Sequence, residues 1–389
     1  MYKIATLNKI SPVGLNRLTD KYVLTDDVTE AHGIIVRSQD MKSMELPKNL
    51  LAIARAGAGT NNIPIDACSQ RGIVVFNTPG ANANAVKELV LAGLFIAARN
   101  LSNAVAWTKT LTDDVSITVE KNKSMFAGQE IKGKTLGVIG LGAIGVMVAN
   151  SAHALGMKVI GHDPYMSITS AHQLSSDVEV YESMDAMLPL CDFISIHVPA
   201  IENTKQMINK DRFALMKDGV SLLNFSRDII VDDGDAAEAL ESGKLGYYIT
   251  DFPNDKLVEN EKVVCIPHLG ASTSESEENC AIMAVDQMKD YLENGNIVNS
   301  VNYPTCNMGV STAKARIVVL NTNVSGMLTQ ITGTFADMGI NISDMINRSK
   351  GDLACTLVDV DTDVTEDDVK KLLDIEGVTA IRVIPNRKR

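Results

Sequence analysis

The chain has 389 residues, 45% of them apolar and 22% charged, the make-up of a globular protein too long for one core, which excludes a disordered or fibrous class. A net charge of −12, with no cluster of Lys or Arg before Arg387-Lys388-Arg389, argues against a nucleic-acid partner, and that tail reads as solvated. The longest apolar run, Leu89 to Ala98, is about half a membrane span, and six dispersed cysteines without a CxxC pair indicate reduced thiols, no disulfide framework and no metal site, so the expected location is the cytoplasm.

Met1-Tyr2-Lys3-Ile4 opens a strand pattern rather than a signal peptide. Strand-like runs at Ile4–Leu7, Gly33–Val36, Leu51–Ala54 and Ile73–Phe76 alternate with short polar or helical stretches, the rhythm of a small α/β domain with a parallel sheet. From Val86 to Ala98 the apolar pattern lengthens into a helix, and the first domain is expected over residues 1–98. Gly128 to Thr135 matches a Walker A pattern, but it runs from a polar loop into a strand, the reverse of what a phosphate loop needs.

Thr135-Leu-Gly-Val-Ile then breaks into Gly140-x-Gly142-x-x-Gly145 and continues as the helical run Val146-Met147-Val148-Ala149. This is a dinucleotide fingerprint in its required setting. Gly140 serves the tight turn, Gly142 the approach of a pyrophosphate, and Gly145 the packing of helix on strand. Eighteen residues beyond Gly145, after a strand at Lys158–His162, stands Asp163, placed to hold adenosine ribose hydroxyls and to select NAD over NADP.

Further strands at Phe193–Val198, Val220–Asn224, Gly246–Asp251 and Val263–Ile266 complete a doubly wound sheet of about six strands, expected over 99–284. A helix follows from Glu275 to Glu293, and the region of Gly295, Asn296 and Pro304 reads as a return segment and linker over 285–310. Residues 311–389 change character: strand Ile317–Leu320, helix Met327–Met338, strands Ile340–Asn347 and Leu353–Val360, helix Asp367–Asp374 and strand Val378–Ile384. That order is a ferredoxin-like βαββαβ module. Asp359-x-Asp361-x-Asp363 begins like a calcium loop, yet Val364 replaces the required Gly and Lys370 the bidentate Glu.

Hydride chemistry on an alcohol needs a proton shuttle, a partner that orients it and a cation for an anionic substrate. Arg227 after the Val220 strand can grip a carboxylate bidentately. Asp255 follows the Gly246 strand and His268 follows the Val263 strand, and one imidazole nitrogen bonded to Asp255 would leave the other to carry the proton. Loops after successive parallel strands gather at one sheet edge, the edge where a nicotinamide lies. His197, after the Phe193 strand, either lines the adenosine pocket or packs; the remaining histidines read as ordinary packing or surface groups.

With these residues in place the chain resembles the D-isomer-specific 2-hydroxyacid dehydrogenases over essentially its full length. The match rests on Asn77-Thr78-Pro79-Gly80-Ala81-Asn82 with Glu88, the glycine fingerprint, Leu223-Asn224-Phe225-Ser226-Arg227, Thr250-Asp251-Phe252-Pro253 and Pro267-His268-Leu269-Gly270-Ala271-Ser272-Thr273. The resemblance implies a Rossmann domain inserted into a flavodoxin-like substrate domain, followed by an ACT-like module. It implies that Arg227 binds a 2-oxo acid, His268 is the acid/base and Asp255 supports it. Ala143, Ile144, Asp163, Phe225, Ser226, Asp251, Gly270 and Ala271 would contact NAD, and Arg37, Ser38, Arg55, Gly57 and Asn82 would hold a phosphate-bearing substrate. The implied reaction is oxidation of 3-phospho-D-glycerate to 3-phosphohydroxypyruvate, with reduction of unphosphorylated acids such as hydroxypyruvate or glyoxylate, or a non-catalytic NAD-sensing scaffold, as alternatives. Asn323 and Asn341 fall at amino-acid effector positions, and a homodimer or homotetramer is implied. The chain departs from the family at Asp255, where Glu is usual, at Asp228 for Gly, at Asn321 for His and at Ser325 for Pro.

Overall fold

The computed structural model describes residues 1–386, so the basic tail Arg387-Lys388-Arg389 lies outside the described residues. The chain divides into two compact units, one formed by Met1–Ala81 together with the chain from Glu277 onward, the other by Asn82–Ser276.

In the first unit, β1 (Tyr2–Leu7), β2 (Tyr22–Thr25), β3 (Gly33–Val36), β4 (Ala52–Arg55) and β5 (Val74–Phe76) pair in parallel in the order β2-β1-β3-β4-β5. This is the flavodoxin-like order expected. The runs are short and almost wholly apolar because the central strands are buried on both faces; every residue of β3 and β5 is buried. β2 carries no such signal, since it is a four-residue edge strand with two exposed residues.

The second unit holds β6 (Thr135–Ile139), β7 (Lys158–His162), β8 (Glu179–Val180), β9 (Phe193–Ile196), β10 (Val220–Asn224), β11 (Leu245–Thr250) and β12 (Val263–Cys265). They form an all-parallel sheet in the order β12-β11-β10-β9-β6-β7-β8. The order reverses at β6, which places a topological switch point beside the glycine loop. The seventh strand, the two-residue β8, is exposed and has no apolar pattern to announce it. The helix Ala83–Arg99 belongs to this unit, not to the end of the first domain as expected: Val86, Val90, Leu94 and Ala97 form a helical stripe in one core cluster with Leu136, Val138, Leu223 and Phe225.

The helix Ser274–Asn294 returns the chain to the first unit. Residues 295–310 are not a loose linker. Val301 donates its N–H to Val75 O at 2.9 Å, while Asn302 accepts from Val75 N at 3.0 Å and donates to Ile73 O at 2.9 Å. These bonds satisfy the open edge of β5, and Ile297, Tyr303 and Cys306 are fully buried beside it.

β13 (Ala315–Thr322), β14 (Ile342–Lys350), β15 (Leu353–Val360) and β16 (Val378–Pro385) make an antiparallel sheet in the order β14-β15-β13-β16, the ferredoxin-like order. One face, with Ile317 and Val319, packs on Ile331 and Phe335 of the helix Met327–Asp337. The opposite face, with Val318, Leu320, Cys355 and Leu357, shares a core with Phe76, Tyr291 and Tyr303. Side-chain alternation along the strands makes both contacts possible. Arg316, on the same face as Val318 and Leu320, is buried: it donates to both carboxylate oxygens of Asp359, at 2.7 and 2.9 Å, and to Asn294 O and Gly309 O. The helix expected over Asp367–Asp374 shrinks to a 3-10 turn, Lys370–Asp374, and Asp368 just before it accepts from Thr365 N and Thr365 Oγ1.

Candidate functional site

β6 ends in Gly140, whose φ of +93° suits glycine. A Cβ there would lie 2.7 Å from His197 O, and one at Gly145 would lie 1.9 Å from Gly140 O. These two glycines are therefore structural, fixing the turn and the close approach of the helix Ala143–Ala154. Gly142 differs: its φ is −76° and a Cβ would meet nothing within 4 Å. It opens the helix with no capping side chain, so amides of the first turn, including those of Ala143 and Ile144, face the space that Gly142 leaves open. That is a cradle for a pyrophosphate.

Asp163 lies one residue beyond β7, with Oδ2 accepting from Leu141 N and Oδ1 from Tyr165 N, both at 2.8 Å. The bonds tie the carboxylate to the glycine loop and leave each oxygen a second lone pair for a ribose hydroxyl. His197 is partly buried; Nε2 pairs with Ser195 Oγ at 2.8 Å, while Nδ1 is enclosed without a partner among the described residues. Burial pushes the imidazole down to about 3, so it is neutral at any physiological pH. Its carbonyl walls the turn at Gly140, which makes it a supporting residue rather than a proton carrier.

β10, β11 and β12 are neighbours, and the residues after them deliver the polar groups. Phe225 buries its ring in the core, so only its backbone can line a cofactor site. Ser226 donates its hydroxyl to Ile196 O at 2.7 Å and its N–H to Asn224 Oδ1 at 3.1 Å, and Asn224 Nδ2 donates to Arg227 O at 2.9 Å. The backbone is thereby locked where the exposed Arg227 projects. Its guanidinium donates to Ser226 O and makes no ion pair among the described residues, not even with neighbouring Asp228, so its fork is open to a carboxylate.

The expected pair of Asp255 and His268 is not formed. Asp255 is exposed, in a turn held by Asn254, whose Oδ1 accepts from Lys256 N and Leu257 N and whose Nδ2 donates to Asp233 at 3.0 Å. His268 is exposed too, its imidazole edge-on to Phe252 with centroids 4.8 Å apart. The same loop donates to a carboxylate at Gly270, whose N–H reaches Oδ2 of the buried Asp251 at 3.2 Å. Burial raises the Asp251 carboxyl above the usual carboxylate range, opposed by the charge of His268 and, less strongly, of Arg227. Ala271 continues the same turn, half-buried.

In the first unit, Arg37, Ser38, Arg55 and Gly57 gather at the C-terminal ends of β3 and β4. Arg55 Nε donates to Arg37 O at 3.1 Å, Ser38 N to Asn8 Oδ1 at 2.9 Å, and Gly57 leaves room for the Arg55 guanidinium, which a Cβ would meet at 2.5 Å. Arg37 is paired with Glu277 at 2.7 Å, a partner that sequence reading missed. Asn82 belongs to the second unit, at the start of the helix Ala83–Arg99. In the C-terminal module Asn323 spends its amide on Gly351 O at 3.1 Å, and Asn341 is exposed.

Residues 91–270 match the family described as D-isomer specific 2-hydroxyacid dehydrogenase, NAD binding domain. The chain is 32% identical over 376 residues to a D-3-phosphoglycerate dehydrogenase of Haemophilus influenzae, covering 93% of this chain and 88% of that one. A protein of the same description from Archaeoglobus fulgidus is 36% identical over 293 residues, 72% of this chain and 53% of that one. Among solved structures, the NAD+-bound 3-phosphoglycerate dehydrogenase of Entamoeba histolytica superposes with a TM-score of 0.61 at 27% identity, covering 77% of this chain and 98% of that one.

Proposed function

Because this chain belongs to the D-isomer-specific 2-hydroxyacid dehydrogenases, we propose that it oxidises 3-phospho-D-glycerate to 3-phosphohydroxypyruvate with NAD, the entry to serine synthesis. The observation that carries the reading is the unpaired Arg227 and the exposed His268 on loops after β10 and β12, at the same sheet edge as the open cradle at Gly142. NAD fits this second unit, and when bound it supplies the hydride acceptor. Gly142, Ala143, Ile144 and Asp163 would hold it, with the backbone of Phe225, Ser226, Gly270 and Ala271.

Arg227 takes the substrate carboxylate and, through its second nitrogen, polarises the oxygen on C2. His268 accepts the C2 hydroxyl proton as the C2 hydrogen leaves with its electron pair, and returns that proton in the reverse reaction. Arg37, Ser38, Arg55, Gly57 and Asn82 are the residues we assign to the substrate's phosphate end. An amino-acid effector at Asn323 and Asn341, assembly into a homodimer or homotetramer and a cytoplasmic location belong to the same proposal; the six free cysteines agree with a reducing compartment. One observation favours an unphosphorylated acid such as hydroxypyruvate instead: Glu277 already occupies Arg37.

The test is NADH oxidation with 3-phosphohydroxypyruvate, using Arg227→Ala and His268→Ala as controls. Both variants should keep NADH binding and lose turnover by at least ~100-fold. An unmodified protein that binds NADH yet reduces neither this acid nor hydroxypyruvate or glyoxylate would sink the enzymatic reading.

A further inference from the structure

The first sheet runs in the order β2-β1-β3-β4-β5, so the chain leaves β1 toward one edge and resumes at β3 toward the other. In an open parallel sheet, the crevice at the C-terminal ends of such a pair is where a ligand lies. The loop after β3, Arg37 to Gln39, occupies that place, and side chains from both neighbouring strands bond its backbone. Asn8, the residue after β1, accepts at Oδ1 from Ser38 N at 2.9 Å and from Gln39 N at 2.7 Å. Asn62, in the turn after β4, donates Nδ2 to Gln39 O at 2.8 Å and to Arg37 O at 3.5 Å. The same Arg37 O accepts from Arg55 Nε at 3.1 Å. Met41 N holds Asn62 in turn, donating to its carbonyl at 2.8 Å.

Asn8 has a φ of +70°, in the left-handed region where glycine is least strained. Glycine carries no amide oxygen, so the two N–H groups that it would leave open account for asparagine at this position. With Ser38 N and Gln39 N both committed to Asn8, the loop offers no pair of amides to an anion. Recognition of a charged end group then falls to the side chains of Arg37, Ser38 and Arg55. Arg37 already meets an anionic group from this fixed backbone, the Glu277 carboxylate at 2.7 Å.

We propose that Asn8 and Asn62 clamp the Arg37–Gln39 loop and are the positioning residues that make this site select a phosphorylated over an unphosphorylated acid. They act through the arginines rather than on the ligand. Asn8 fixes the backbone from which Arg37 and Ser38 project, and Asn62 fixes the carbonyl that orients Arg55. A guanidinium displaced by about 1 Å loses its bidentate contact. The role rests on the proposed substrate, and the outcomes of its test separate the two.

The experiment measures kcat and KM for 3-phosphohydroxypyruvate and for hydroxypyruvate, with NADH, in the unmodified protein, Asn8→Gly and Asn62→Ala. Asn8→Gly suits the left-handed backbone and removes only the acceptor, so the variant folds, as thermal melting will show. In both variants the ratio of kcat/KM for the phosphorylated over the unphosphorylated acid should fall about 10-fold, the effect of one weakened charge-assisted contact. The fall should come through KM rather than kcat, since the contact is made before and during the reaction alike. A merely structural role would lower both kcat/KM values together, and a ratio unmoved in either variant overturns the clamp. An unmodified protein whose ratio is near one loses the proposed substrate and the clamp's role together. If it turns over neither acid, the proposed reaction fails and calorimetric titration with 3-phosphoglycerate decides the clamp. Affinity about 10-fold weaker in both variants then supports it, and equal affinity or no binding overturns it.

Discussion

Gly142 and Gly145 stand three residues apart in the same turn, and alanine at each should fail for opposite reasons. At Gly145 the added Cβ would be 1.9 Å from the backbone oxygen of Gly140. Backbone cannot swing aside as a side chain can, so Gly145→Ala should cost roughly 3 kcal/mol or more of stability. At Gly142 the φ of −76° is open to any residue, and the Cβ meets nothing within 4 Å. Gly142→Ala should therefore change stability by no more than about 0.5 kcal/mol, or raise it slightly by restricting the unfolded chain. Its effect is on the ligand: a methyl in the cradle displaces the pyrophosphate from at least one amide, a charge-assisted bond worth roughly 1.5–3 kcal/mol, or about 10- to 150-fold in Kd. Urea unfolding and NADH fluorescence titration measure the two quantities separately. NADH affinity unchanged by Gly142→Ala, or native stability in Gly145→Ala, would refute the division of labour argued for these glycines.

Three other outcomes follow from buried polar groups. His197 stays neutral in the fold, held down to about 3, whereas its unfolded counterpart takes a proton below about 6.5. Stability is thus lost as pH falls from 6.5, by about 2 kcal/mol between pH 7.5 and 5, and His197→Gln should flatten the pH dependence of urea midpoints by that amount; parallel curves would mean that His197 does not titrate differently in the folded and unfolded chain. Arg316→Ala strands Asp359 in the core of the first unit and should cost roughly 3–5 kcal/mol, while the double change Arg316→Met with Asp359→Leu should recover most of it; equal loss in both would mean that packing, not charge, is at stake. Asp251 carries a raised pKa, so its charged form burdens the fold above the ordinary carboxylate range. Asp251→Asn should raise Tm at pH 8 without ligand, and the gain should vanish as pH drops through that range; a lower Tm at pH 8 would contradict it.

Elements with a long apolar period were legible because their burial is dictated by topology. β6, β9 and β10 are buried on both faces and read as continuous apolar runs. β2 and β8 were invisible because an edge strand of two to four residues needs no apolar pattern. The segment 295–310 looked like a linker from its Gly, Asn and Pro, yet those residue types also serve as side-chain hydrogen bonders to an open strand edge, as Asn302 does. The alternation in β13 and β15 marks both faces as apolar, but what covers the second face depends on contacts across hundreds of residues. At the site, the glycine loop and the positions of Arg227 and His268 were local features. The partner of His268 was not: it turns on whether a side chain one methylene shorter still reaches, and on Asn254, whose Oδ1 accepts from the two N–H groups of Lys256 and Leu257 in the turn ahead. Asp251 was named for the cofactor, and its burial against Gly270 is a tertiary fact.

The proposed substrate of this dehydrogenase is a phosphorylated 2-hydroxy acid. The most direct measurement is the ratio of kcat/KM for 3-phosphohydroxypyruvate to that for hydroxypyruvate, which differ only by the phosphate. If Arg37 and Arg55 both serve that group, two charge-assisted contacts worth roughly 3 kcal/mol together should give a ratio near ~100 or above, falling sharply in Arg55→Ala. A ratio close to one, unchanged by that substitution, would contradict the assignment and leave Arg37 as the structural partner of Glu277.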